Sequence, residues 1–249
     1  MSDREFKSLA WWPTSILTIE QSNARALNDG LRRIILEMER EIVRTGKPLK
    51  VAGLEEGLST LWLEYNVLNW DFDECRELRR LVLDGYDAFV ETLGMAGDPG
   101  MEITGISCWA NILRPGQSLT LHHHDPAFAS AHYTVTTGWE DGTQLDSAEA
   151  GHTIYYRPGF MDRSHGGKAN GVSSLWDDDW RISRPPRPGN MIFFPSYLRH
   201  EVRPNVGTNE RISIAMDIFV KKQELPMYFG GPRWFVPAAA EDEVVRKVI

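Results

Sequence analysis

Apolar positions in the first hundred residues fall at steps of three and four. Leu27, Leu31, Ile34, Ile35, Met38, Ile42 and Val43 form one such stripe, the repeat of a helix with a single buried face. A helix is therefore predicted over 20–46, with Gly46 and Pro48 as its stop. Leu78, Leu81, Val82, Tyr86, Phe89, Val90 and Leu93 form a second stripe. It predicts a helix from about Asp73 to Leu93, with Asp71 and Asp73 as candidate N-caps and Gly94 just past its end.

Beyond Gly100 the pattern changes. Short β-rich runs alternate with Gly, Pro, Asn and Asp turns, and strands are predicted near 102–113, 118–124, 130–137, 152–157, 190–195, 199–203 and 211–220. Several short strands at this spacing belong to a sandwich or barrel. The stretch 138–189 is polar and turn-rich and too long for a plain connection, so it reads as a functional loop region. One domain over 1–249 is expected, with a helical N-terminal part over 1–99 and a β core over 100–222 that carries the inserted loops 138–189. The fold class is mainly β with N-terminal helices.

Composition narrows the class without changing this picture. Hydrophobic residues make up 42% and charged residues 25% of the 249 positions, values ordinary for a globular protein. The net charge of −8 argues against nucleic acid as the partner, because phosphate binding needs a basic face. No apolar run approaches the roughly 20 residues of a membrane span, and the N-terminal MSDREFK lacks the apolar core of a signal peptide. A soluble cytoplasmic protein with a small-molecule partner is expected, and nothing indicates its oligomeric state. Cys75 and Cys108 are too few for a disulfide framework and read as reduced, buried thiols.

The chemistry is concentrated in Leu121-His122-His123-His124-Asp125-Pro126. Side chains on a strand alternate faces, so two pairs are placed to chelate a metal: His123 with Asp125, or His122 with His124. Imidazole and carboxylate both suit first-row divalent metals. A third ligand has to come from elsewhere, and His200 has the best context, since it follows the apolar run Met191–Phe194 and Pro195. Two histidines and a carboxylate on one face of a metal leave positions open, as in non-haem iron oxygenases. Arg211 and Ser213, eleven and thirteen residues beyond His200, share a strand face opposite Ile212, Ile214 and Met216. A guanidinium fork beside a hydroxyl suits a carboxylate.

Together these stretches resemble the 2-oxoglutarate–Fe(II) oxygenase superfamily: Trp109-Ala-Asn111-Ile, Gly116, His123-x-Asp125-Pro126, Ser130-x-x-Tyr133, Pro188-Gly189 through Pro195-Ser196, His200 and Arg211-x-Ser213. Within it the chain is most similar to a family of bacterial and phage oxygenases, whose opening segment is echoed by Trp12-Pro13-Thr14-Ser15. The resemblance implies a double-stranded β-helix (a cupin-like jelly roll), Fe(II) held by His123, Asp125 and His200, and 2-oxoglutarate as cosubstrate on Arg211 and Ser213. That subfamily often has His-x-His before the proline. Here His123-x-Asp125 precedes Pro126, which restores the superfamily's carboxylate and argues against a halogenase. Asn111 and Tyr133 are assigned to the cosubstrate, and Trp109, Tyr155, Trp176 and Trp180 to the substrate pocket. The implied reaction is hydroxylation of a small molecule with release of succinate and carbon dioxide. Two other readings stand beside it: a cupin-like metal isomerase or hydrolase using His122, His124 and His200, and a non-catalytic jelly-roll binding module.

Overall fold

A computed structural model describes residues 14–44, 58–59, 66–139, 149–158, 181–223 and 234–237. Both predicted helices are present, α1 over Arg25–Arg44 and α2 over Asp73–Thr92. They bury the expected stripes: Leu27, Leu31, Ile34 and Ile35 from α1, and Leu78, Val82, Tyr86, Phe89 and Val90 from α2. Gly94 follows α2 with φ +68°, a left-handed stop that costs glycine little. The N-cap expectation is corrected. The cap is Phe72, which makes no side-chain cap bond. Asp71 and Asp73 turn instead to Arg76, at 2.5 and 2.6 Å, because a guanidinium one turn along offers both carboxylates a charged partner.

Eleven strands are described: β1 Leu17–Glu20, β2 Leu58–Ser59, β3 Ile103–Leu113, β4 Leu119–His122, β5 Ala129–Thr134, β6 Thr153–Tyr156, β7 Arg181–Arg184, β8 Asn190–Pro195, β9 His200–Val202, β10 Arg211–Val220 and β11 Trp234–Phe235. They form two antiparallel sheets. One runs β1-β8-β5-β10-β3-β11 with β2 also on β3, and the other runs β4-β9-β6-β7. All seven expected strands appear. The four that were not foreseen (β1, β2, β7 and β11) have two to four residues each, too few for a period of two to register.

The larger sheet has two unlike faces. On β10, Ile212, Ile214, Met216 and Ile218 join a core with Leu31 and Ile35 of α1 and with Val82 and Phe89 of α2. The alternate residues Arg211, Ser213, Ala215 and Asp217 point the other way. Register extends that second face across three strands in rungs: Asn111–Ser213–Thr134, Trp109–Ala215–His132 and Ser107–Asp217–Ser130. Tyr133 falls on the helix side. Its ring is fully buried and its hydroxyl donates to Asn28 Oδ1 at 2.7 Å, so the structure does not bring it to the face of Arg211 and Ser213, as its assignment to the cosubstrate expected. Both cysteines are free and buried, and burial pushes the Cys75 thiol up to about 12.

The helix layer sits close to the sheet because α2 carries a glycine at the crossing. A Cβ on Gly85 would lie 2.5 Å from Phe193 Cε2 and 2.8 Å from Ile19 Cδ1. Phe193 is stacked on Phe89, with ring centroids 6.0 Å apart, and has little room to give. Gly85→Ala is expected to lower unfolding free energy in urea titration. Overpacking costs about 1–3 kcal/mol, here toward the upper end, against about 1 kcal/mol of helix propensity gained. An unchanged or raised midpoint would mean that α2 is not held at this distance.

Candidate metal centre

Within the smaller sheet β4 pairs with β9, and the register puts His122 opposite His200. Their ring centroids are 4.3 Å apart. His124 lies two residues past β4 and is pinned by its backbone N–H donating to the Ser196 carbonyl at 2.9 Å. Its ring stacks on His200 at 5.1 Å, with the two Nε2 atoms 3.3 Å apart. The three histidines each offer a ligand nitrogen, and these atoms all lie within 4.8 Å of one another. Among the described residues this is the group of metal-ligating side chains that converges.

Each ring is oriented through its other nitrogen. His122 Nδ1 lies 2.6 Å from the Thr120 carbonyl oxygen, and His200 Nδ1 lies 3.0 Å from that of Leu198. His124 Nδ1 lies 3.0 Å from Asp217 Oδ1. A carbonyl or carboxylate oxygen accepts, so Nδ1 carries the hydrogen in each ring and Nε2 keeps its lone pair. That is the arrangement in which outer hydrogen bonds prepare histidines for a metal. Burial holds His200 well below the usual histidine range, with His122 and His124 adding to the effect. Burial also lowers His122. Both are neutral, metal-ready imidazoles at neutral pH. Metal–nitrogen bonds of about 2.1 Å at right angles place ligand atoms about 3 Å apart, close to the His124–His200 separation. The three residues fit a divalent first-row metal.

His123 and Asp125, the other same-face pair, are not brought to His200. Just past the end of β4 they face outward, where His123 Nδ1 and Asp125 Oδ2 lie 3.3 Å apart with side chains 44% and 56% exposed. The Ser196 hydroxyl donates to Asp125 Oδ1 at 3.3 Å. Of the expected ligand set, only His200 joins the cluster.

Arg211 is where the sequence places it, on the polar face and 1% exposed. Its Nε donates to the Gly151 carbonyl at 3.1 Å, Nη1 to Ser213 Oγ at 3.3 Å and Nη2 to Thr153 Oγ1 at 3.5 Å. These partners are neutral, and among the described residues no carboxylate pairs with it. Burial lowers the guanidinium to about 10, so it is still charged at neutral pH. Thr153 ties this end to the histidines. Two residues on, Tyr155 is the β-ladder partner of His200, and the two rings are 5.7 Å apart. Two residues of strand span about 7 Å, comparable to an extended five-carbon diacid.

The space between is lined as the sequence suggests in part. Asn111 lies beside Ser213 on the same rung, and the Trp109 ring is 5.9 Å from His124. Tyr155 is fully buried and hydrogen-bonded to His132 Nε2 at 2.6 Å. Burial pushes the Tyr155 hydroxyl well above its ordinary range and lowers His132 to about 3, so both are neutral. Trp176 and Trp180 lie outside the described residues. Thr153 and Asp217 were not singled out from sequence. Asp217 was nevertheless readable, since it shares the parity of Arg211 and Ser213 on one strand.

Comparison with known proteins bears on the fold. Residues 107–217 match the model of a family described as "Putative 2OG-Fe(II) oxygenase". No curated protein sequence matches the chain. Among solved structures, the fold is similar to a prolyl-4-hydroxylase from Pseudomonas putida, at 17% identity and TM-score 0.52, covering 83% of this chain and 93% of that one. It is similar to a Trichoplax adhaerens prolyl hydroxylase in complex with a hypoxia inducible factor peptide fragment, at 15% identity and TM-score 0.53, covering 84% of each chain. It is also similar to HygX from Streptomyces hygroscopicus with nickel and 2-oxoglutarate bound, at 13% identity and TM-score 0.51, covering 87% of this chain and 84% of that one. The fold is the double-stranded β-helix of these enzymes.

Proposed function

We propose that this protein binds Fe(II) through His122, His124 and His200 and hydroxylates a small molecule with 2-oxoglutarate and dioxygen, a reading supported by the match of residues 107–217 to the model of a 2OG-Fe(II) oxygenase family. Iron at such a site, with coordination positions left open, supplies the oxidative chemistry that couples decarboxylation of a 2-oxo acid to oxidation of a second substrate. The chain's own residues bind and orient. Arg211 and Ser213 grip the far carboxylate of 2-oxoglutarate, and Thr153 holds the guanidinium in line. Trp109, Phe194 and Tyr155 wall the space between Arg211 and the histidines and keep water from it.

The observation that carries this reading is Arg211. A guanidinium enclosed among neutral partners is costly to keep, and a dicarboxylate reaching from the histidines would supply the missing charge. The three-histidine set by itself would equally serve a cupin-like isomerase or hydrolase, for which a buried arginine at this distance has no task. The test is anaerobic titration of the Fe(II)-loaded protein with 2-oxoglutarate, followed by exposure to oxygen. A visible charge-transfer absorption on titration and succinate after oxygen are expected. Iron binding with neither signal would reject the oxygenase and leave the cupin-like reading.

Among the described residues, no helix is long and apolar enough to cross a membrane.

A further inference from the structure

Three imidazoles differ from two imidazoles and a carboxylate in one respect: they bring no negative charge to the metal. Among the described residues, Asp217 is the carboxylate in direct contact with one of their rings. It stands on β10 six residues from Arg211, on the same face, with its side chain 19% exposed. Its Oδ1 lies 3.0 Å from His124 Nδ1 and accepts the Ser130 hydroxyl at 2.8 Å. Ser130 is almost fully buried, so the carboxylate is anchored from behind. Ser107 completes the rung on the other side, and its buried Oγ has no hydrogen-bond partner among the described residues. Beyond the rung, Phe219, Trp234 and Ala127 close that end of the barrel with an apolar cluster. The carboxylate is therefore held against one ring of the metal set, in surroundings that strengthen its field.

We infer that Asp217 is a positioning residue of the metal centre. It fixes His124 as the Nδ1–H tautomer, aims Nε2 at the metal, and supplies through the hydrogen bond the negative charge that the three imidazoles lack. Such outer partners raise ligand basicity and govern metal affinity. The inference rests on the three-histidine site proposed above. It assigns to a carboxylate on β10, in the facing sheet, the electrostatic part that a ligating aspartate plays elsewhere.

Asp217→Asn keeps size and an accepting oxygen but removes the charge. Two readouts test it. The first is affinity for Co(II) alone, with no cosubstrate, which is expected to fall about 10- to 100-fold. The second is the ring-nitrogen NMR spectrum of the metal-free protein. His124 is expected to be the Nδ1–H tautomer in the wild type and a mixture of tautomers in the variant, since an amide can donate as well as accept. Ser130→Ala, which removes only the anchor, is expected to give a smaller loss of Co(II) affinity and keeps the test open should Asp217→Asn not fold. Unchanged Co(II) affinity in folded Asp217→Asn, or in folded Ser130→Ala if that is the variant available, would overturn the inference. So would a His124 that is not the Nδ1–H tautomer in the wild type. Failure of the wild type to bind any divalent metal would instead reject the metal site itself, while the tautomer measurement still reports on Asp217.

Discussion

Alanine at His122, His124 or His200 is expected to abolish stoichiometric metal binding, whereas His123→Ala and Asp125→Ala leave it intact. The expected loss exceeds about 100-fold in affinity, the upper end of what even an outer hydrogen-bond partner contributes. The reason is geometric. His122 and His200 are opposed across a ladder and His124 stacks against the second of them, so each removal opens a third of a preorganised set. His123 and Asp125 are exposed and turned to each other, and truncating them disturbs only a surface pair, an interaction of about 0–1 kcal/mol. Anaerobic titration of each metal-free variant with Fe(II) measures this. The reverse pattern, with loss at His123 and Asp125 and retention at His122 and His124, would restore the His-x-Asp ligand set.

Arg211→Met is expected to separate stability from function. In the protein without 2-oxoglutarate, the guanidinium is a buried charge held by neutral oxygens. Replacing a buried charge by an apolar side chain of similar volume is often neutral or stabilising, by about 1–4 kcal/mol. Unfolding free energy should therefore hold or rise. Affinity for 2-oxoglutarate should drop by about 2–5 kcal/mol, roughly 30- to 5,000-fold, because the ligand's carboxylate would be buried without its partner. Denaturant titration and the charge-transfer absorption report the two quantities separately. A variant that is less stable and binds 2-oxoglutarate normally would make Arg211 a structural residue and remove the main support for the cosubstrate site.

Most of the frame was legible because it depends on periodicity. The stripes of α1 and α2 and the runs that became β3, β8 and β10 are long enough for apolar spacing to distinguish helix from strand. β1, β7 and β11 are short edge or flanking pieces whose pairing is set by neighbours far along the chain. The site was legible to the same depth. Alternation correctly divided 122–125 into two same-face pairs, but it carries no information on which face looks inward. That depends on the β4–β9 pairing, a contact between residues nearly eighty positions apart. Family register favoured His123 with Asp125, and the ladder brings His122 and His124 to His200. Tyr133 was misplaced for the same reason. It is one residue from His132, and a shift of one residue on a strand exchanges the pocket for the helix layer.

That dependence on parity makes β10 intolerant of changes in length. Its odd-numbered members hold the buried guanidinium of Arg211 and the carboxylate beside His124, and its even-numbered members hold the helices. Substitutions on either side can be compensated locally. An inserted or deleted residue between Arg211 and Asp217 cannot, because it would send an isoleucine into the pocket and a charge under α2 in a single step. Variants of this sequence can differ in what lines the pocket, but the spacing from the arginine to the aspartate is the measure they have to keep.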